Sequence, residues 1–217
     1  TWFVWITYAF IGAITWMIYK EQLTYFNLTP MGFLVACSFV PFLRNSYTHM
    51  IQYIALALLC FIFIGWGFLH LALMLHISKG IYVILYLYLL AEFSYSATAF
   101  FGRFWGKRKI FDKIAPKMTW EGLFFSILIT VLLAWGMRHM LPVRSEPYWL
   151  SAALITEVFG RSGDLILSVI RRDLGIKDTG VFIIGRDDIL ARVGKFIFAA
   201  PIYYYVLMFL MKNFPAS

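Results

Sequence analysis

The sequence has little charge, since Asp, Glu, Lys and Arg make up 14% of its 217 residues, against roughly 25% in soluble domains. It has 2 cysteines and no Cys-x-x-Cys pair, which excludes a small domain held together by disulfides. It also lacks internal repeats and the strict apolar–polar alternation of a membrane β-barrel. What it has is 62% hydrophobic residues. That is too much apolar surface for one soluble core.

Long apolar runs predict seven transmembrane helices, because a helix that crosses the bilayer needs about 20 mostly apolar residues. The predicted spans are residues 2–19, 26–43, 51–72, 81–102, 120–141, 148–170 and 194–212. The second span is short and begins near Pro30, so we expect it to be tilted or only partly spanning. The sequence therefore predicts an all-α, polytopic integral membrane bundle with two basic cytoplasmic loops.

The basic residues predict the orientation and the kind of partner. Thirteen Lys and Arg residues lie in or next to the connections after spans two, four and six, and five lie on the opposite side. The positive-inside rule then puts the long basic loops in the cytoplasm. The formal net charge of +8 indicates, in a membrane protein, an anionic leaflet and phosphorylated substrates, not nucleic acid.

Ionisable residues lie within two of the predicted spans, where they are costly unless paired or hydrated. Glu92 lies midway along span four, and Glu157, Arg161 and Asp164 share one face of span six because they are separated by four and three residues. Two interpretations stay open for Glu157 and Arg161, a buried structural pair or part of a functional cavity. Asp164 directly precedes a basic run, which favours a functional role.

Two basic loops follow these spans. The first, residues 102–122, interleaves Lys and Arg with aromatic residues, which is typical of an interfacial stretch. Thr119 and Glu121 at its end predict the N-terminal cap of the fifth span. The second loop mixes Arg and Lys with Asp between residues 171 and 188. That pattern suits either a site for phosphate and a divalent metal or a solvated charged loop.

The second loop resembles the signature of the phosphatidate cytidylyltransferase (CDP-diacylglycerol synthase) family. It reads Gly163-Asp164-Leu165-x-x-Ser168-x-x-Arg171-Arg172-x-x-x-x-Lys177-Asp178-x-Gly180, where the family has GDL-x-x-S-x-x-KR-x4-KD-x-G. In the first loop, Gly102-x-x-x-Gly106-Lys107 and Pro116-x-x-Thr119-Trp120-Glu121-Gly122 are similar to the family's G-x-x-x-G and PGKTWEG elements. On this resemblance, residues 1–80 are N-terminal transmembrane helices and residues 81–217 are a cytidylyltransferase-like membrane core.

The sequence departs from the family pattern where that pattern has carboxylates. Tyr95 stands in place of an Asp in span four, and Ala191 and Gly194 stand in place of the two Asp residues of DR-x-D. Glu92 and Asp188 each precede a replaced carboxylate by three residues, which is nearly one helical turn. A displaced metal site is therefore one expectation.

The resemblance implies transfer of CMP from CTP to phosphatidic acid, with Mg²⁺ as cofactor, at a site facing the cytoplasm of a bacterial inner membrane. The residues expected on this resemblance are Asp164, Lys177 and Asp178 for catalysis and Lys117, Ser168, Arg171, Arg172 and Arg192 for substrate binding. The residues expected for Mg²⁺ are Asp164 and, as displaced carboxylates, Asp188 and Glu92. A homodimer or membership of a membrane complex is also implied. The alternative left open is a catalytically inactive homologue that binds lipid or serves as a structural subunit of such a complex.

Overall fold

The computed structural model describes residues 2–21, 23–45, 48–111, 115–173 and 189–213. They are almost entirely helical, and the chain divides into two compact units, Thr1–Leu73 and Met74–Ser217. The domain boundary predicted at residue 80 stays a prediction.

The described residues of the first unit form short and medium helices around an aromatic core. In chain order these are α1 (Trp2–Tyr19), a 3₁₀ helix (Leu23–Leu28), α2 (Thr29–Ser38), α3 (Val40–Arg44), α4 (Met50–Cys60), a π-helical turn (Phe61–Trp66) and α5 (Gly67–Met74), which ends at the boundary. Phe33 stacks on Phe61 with ring centroids 4.1 Å apart, and Phe10 meets both rings edge-on. These contacts join α1, α2 and the π-helical turn.

The second unit contains the longest helices and a short β-hairpin. Its described elements are α6 (Gly80–Trp105), β1 (Lys109–Phe111), β2 (Ala115–Thr119), α7 (Trp120–Gly136), a 3₁₀ turn (Arg138–Met140), α8 (Glu146–Ile155), a π-helical turn (Thr156–Gly160), α9 (Arg161–Asp173) and α10 (Ile189–Asn213). The strands are antiparallel, with Lys109 opposite Thr119 and Phe111 opposite Ala115. The first basic loop is thus a hairpin, which its mixed basic and aromatic composition did not predict.

The predicted spans coincide with helices, which confirms an all-α polytopic membrane bundle. Five stretches are long and apolar enough to cross a bilayer: Trp2–Tyr19, Tyr25–Arg44, Met50–Met74, Gly80–Trp105 and Gly194–Asn213. α7 is also apolar but has 17 residues. The predicted sixth span corresponds to α8, the π-helical turn and α9, and that turn contains Glu157, one of the ionisable residues within this stretch.

Small residues bring α6 and α7 into close antiparallel contact. The buried residues of α7 recur every four positions, at Gly122, Ser126, Thr130 and Ala134, and so they form one stripe along the helix. A Cβ at Gly122 would lie 2.8 Å from the backbone oxygen of Thr98 and 3.0 Å from the Cα of Gly102. Helices in membranes pack closely through such small side chains.

Candidate functional site

Glu157 and Arg161 form a buried ion pair at the junction of α8 and α9. Glu157 lies in the π-helical turn and is 5% exposed. The Nε atom of Arg161 lies 2.8 Å from Oε2 of Glu157. Because the two residues are four positions apart, the helical backbone itself brings them together. Of the two interpretations left open for these residues, the structure shows the buried pair.

Three hydroxyl groups from neighbouring helices donate to the other oxygen of this carboxylate. Oε1 of Glu157 accepts hydrogen bonds from Ser94 on α6 at 2.7 Å, from Ser126 on α7 at 2.7 Å and from Thr130 on α7 at 2.6 Å. Both carboxylate oxygens are therefore hydrogen-bonded away from water. A buried charge is tolerated only under such conditions.

The Arg161 guanidinium is bound by the same set of hydroxyls. Its Nη2 donates to Thr98 at 2.6 Å, to Ser94 at 3.2 Å and to Ser126. The network thus joins α6, α7 and α9 through one ion pair, which is a structural role. The sequence analysis did not identify Ser126 and Thr130 as members of this network. The signal available was their spacing, since Gly122, Ser126 and Thr130 recur every four residues along one helix.

The β-hairpin is fixed to the first turn of α7. Oε2 of Glu121 accepts the backbone N–H groups of Lys107 at 3.1 Å and Arg108 at 3.3 Å. The Thr119 side chain accepts the N–H of Gly122 at 3.1 Å, which confirms the predicted N-terminal cap. The segment before the hairpin and the last residue of β2 are therefore both hydrogen-bonded to the first turn of α7.

Asp164 lies where α9 crosses α10. A Cβ at the preceding residue, Gly163, would lie 2.7 Å from the Cβ of Phe198 and 3.1 Å from the backbone oxygen of Gly194. This close approach requires glycine and fixes the position of Asp164. Asp164 and Ser168 are both half-buried and, four residues apart, lie on one face of α9.

A buried lysine on α10 stacks over a tyrosine on α6. Nζ of Lys195 lies 2.8 Å from the centroid of the Tyr95 ring, and Lys195 is 4% exposed. Such cation–π contacts stabilise an ammonium group away from water. The structure therefore has a buried positive charge beside Tyr95, the residue that stands where the resemblance placed a carboxylate.

The remaining predicted site residues are distributed over several elements. Glu92 lies on α6, one turn before Tyr95, and is half-buried. The structure describes only the backbone of four of them: Lys117 on β2, Arg171 and Arg172 on α9, and Arg192 on α10. Those that lie outside the described residues are Lys177, Asp178 and Asp188. Their predicted roles stay predictions.

The described residues do not by themselves bring three metal-binding side chains together. Within them, no group of three or more His, Cys, Asp and Glu side chains could hold a metal ion. Of the three predicted ligands, Asp164 and Glu92 are described and Asp188 is not. The predicted Mg²⁺ site therefore depends on a residue beyond the described ranges.

Comparison with known proteins identifies the family of this chain. Residues 1–210 match the Cytidylyltransferase family. The chain is 30% identical over 134 residues to the protein YnbB of Escherichia coli (strain K12). The matched stretch covers 62% of this chain and 45% of YnbB. It is 29% identical to the phosphatidate cytidylyltransferase of Staphylococcus epidermidis (strain ATCC 35984) and 27% identical to that of Staphylococcus aureus (strain COL), each over 183 residues. These matches cover 84% of this chain and 68% of each enzyme. With a match over nearly its whole length, this membrane-embedded chain belongs to the cytidylyltransferase family.

Proposed function

We propose that this protein transfers CMP from CTP to the phosphate of phosphatidic acid, giving CDP-diacylglycerol and pyrophosphate. Family membership supports the reaction class, and relatives that bear the name phosphatidate cytidylyltransferase support the lipid substrate. The structural observation that carries the proposal is the polar face of α9, on which Asp164 and Ser168 lead to Arg171 and Arg172.

The proposed reaction is a displacement at the α-phosphorus of CTP. An oxygen of the lipid phosphate forms a bond to that phosphorus, the bond to the bridging oxygen of the β-phosphate breaks, and pyrophosphate leaves. Most of the catalysis in phosphoryl-group transfer comes from positioning and from neutralising charge. Cationic side chains near the end of α9 are suited to that task.

The roles of this chain's residues follow from their chemistry. Arg171 and Arg172 would bind phosphate oxygens with their planar guanidinium groups. Lys177 would add a further positive charge, oriented by Asp178. The other proposed phosphate-binding residues are Lys117, Ser168 and Arg192.

The Mg²⁺ requirement is a separate part of the proposal. When bound by Asp164, Asp188 and Glu92, the ion would neutralise phosphate charge. The described residues do not form this site by themselves, and the Lys195 ammonium already brings a buried positive charge next to Tyr95. The proposed displacement is therefore assigned to this chain's own residues, and chelation by EDTA tests the metal requirement independently.

The proposal is tested by incubating purified protein with α-labelled CTP and phosphatidic acid vesicles, and by measuring label in the lipid fraction. We expect Asp164→Asn to abolish incorporation. Asp173→Asn is the matched control, since Asp173 is an exposed carboxylate at the end of the same helix, and we expect it to keep wild-type activity. Equal activity of both variants would refute the role of Asp164.

A second candidate function is favoured by the Tyr95–Lys195 contact. Because Tyr95 stands where the resemblance places a carboxylate and its ring is covered by Lys195, the protein could bind lipid without catalysing transfer, as an inactive homologue in a membrane complex. Specific binding of phosphatidic acid by folded protein, with no labelled product at any Mg²⁺ concentration, would support this function over the first.

We also propose that the hairpin and the end of α9 face the cytoplasm of a bacterial inner membrane, in a homodimer or larger complex. The test of orientation is Lys109→Cys in a Cys37→Ser/Cys60→Ser background, where it is the single cysteine. Since Lys109 is exposed, an impermeant maleimide should label inverted vesicles and not intact spheroplasts. The reverse pattern would contradict the orientation.

A further inference from the structure

The residue that precedes the hairpin and the first two turns of α7 line an open groove of about 440 Å³. We call it the hairpin groove. It is lined by Arg108, Trp120, Glu121, Phe124 and Phe125. None of these residues belongs to the set proposed for CMP transfer, so the groove needs its own explanation.

The backbone holds Arg108 in place at one end of the hairpin groove. Its N–H donates to Oε2 of Glu121 at 3.3 Å, and its carbonyl accepts the N–H of Trp120 at 3.0 Å. The Arg108 side chain is exposed. Because Glu121 accepts two backbone N–H groups, its negative charge is directed at the hairpin backbone. The groove therefore has an accessible guanidinium on an anchored backbone segment.

The wall of the hairpin groove is aromatic. Phe125 stacks on Phe101 with centroids 4.7 Å apart and packs on Trp105 at 5.2 Å. Trp120 is 58% exposed and Phe124 is 66% exposed. These apolar rings lie on the first two turns of α7, an apolar helix, where acyl chains would meet them.

The surroundings of the hairpin groove are basic. Arg103, Lys107 and Lys109 are exposed near Arg108. Cations next to membrane-facing aromatic residues are complementary to a lipid with a negative headgroup and an apolar tail. A soluble anion would use the guanidinium but leave the aromatic wall uncovered.

We propose that the hairpin groove binds one anionic phospholipid, whose headgroup phosphate pairs with Arg108 and whose acyl chain lies along Trp120 and Phe124. This site would hold a lipid next to the hairpin whether or not CMP transfer occurs. It is thus independent of the proposed reaction.

The test is native mass spectrometry of the purified full chain in detergent, titrated with dioleoylphosphatidylglycerol or dioleoylphosphatidylcholine. We expect the wild type to retain one phosphatidylglycerol more tightly than phosphatidylcholine. Arg108→Gln should weaken retention of phosphatidylglycerol about fivefold, since a lysine or arginine near an anionic lipid contributes about 1 kcal/mol. Arg103→Gln is the matched control, an exposed arginine at the end of α6 that does not line the groove.

Two further arms separate the lipid from other occupants. Phe124→Ala should also weaken retention of phosphatidylglycerol, and an excess of inorganic phosphate should not displace the lipid. Wild type that does not distinguish the two lipids would overturn the proposal. Equal losses in Arg108→Gln and Arg103→Gln, or displacement by phosphate alone, would also overturn it.

Discussion

The hydroxyl of Thr130 on α7 donates a 2.6 Å hydrogen bond to the Glu157 carboxylate, in the turn between α8 and α9. The same carboxylate pairs with Arg161, so the interaction that joins these helices is charged as well as hydrogen-bonded. In an apolar bundle, removing one member of such a pair leaves a buried charge without its counter-ion.

Glu157→Gln should therefore destabilise the protein strongly. We expect a loss of about 3–5 kcal/mol in the free energy of unfolding, because Arg161 would keep its charge in a buried site. Thermal unfolding in detergent micelles measures the effect. Glu146→Gln, at an exposed position in the first turn of α8, serves as the control. The double variant Glu157→Gln/Arg161→Gln should be less destabilised than Glu157→Gln, and additive losses would contradict the pairing.

Gly122→Ala tests the close packing of α6 and α7. The new methyl group would lie 2.8 Å from the backbone oxygen of Thr98, so the helices would have to separate, at about 1–3 kcal/mol. Gly136→Ala is the matched control, since nothing lies within 4 Å of a Cβ at the other end of the same helix. A melting temperature for Gly122→Ala equal to that of Gly136→Ala would show that the helices are not in close contact there.

Glu121→Ala tests how the hairpin is held. The Glu121 carboxylate accepts hydrogen bonds from the backbone N–H groups of Lys107 and Arg108. Its loss would remove both hydrogen bonds. At about 1 kcal/mol per hydrogen bond, amide exchange at these two positions should rise roughly fivefold. Hydrogen–deuterium exchange measures this change. Unchanged exchange at both positions would mean that Glu121 does not fix the hairpin.

Tyr95 variants test the buried lysine. Tyr95→Phe keeps an aromatic face for the Lys195 ammonium, and Tyr95→Leu removes it. We expect Tyr95→Leu to be less stable than Tyr95→Phe by about 2 kcal/mol, the size of a desolvated cation–π contact. Equal melting temperatures of the two variants would contradict a stabilising role for the contact.

The sequence predicted the helices more completely than it predicted the contacts between them. Apolar run lengths located the spans, and the four-residue spacing of Glu157 and Arg161 predicted their pairing, because both depend on local periodicity. The Ser126 and Thr130 hydroxyls contribute to the network only through the antiparallel packing of α6 and α7. Tyr95 and Lys195 are far apart in sequence, so local patterns do not predict their contact.

Product analysis of the purified protein tests the central claim, that this cytidylyltransferase-family chain transfers CMP to phosphatidic acid with the help of Asp164. Mass spectrometry of the lipids after incubation with CTP and phosphatidic acid should detect CDP-diacylglycerol, with pyrophosphate released in equal amount. Asp164→Asn should yield neither product while keeping the wild-type melting temperature. CDP-diacylglycerol formed at the wild-type rate by Asp164→Asn, or absent from reactions of folded wild type, would contradict the account.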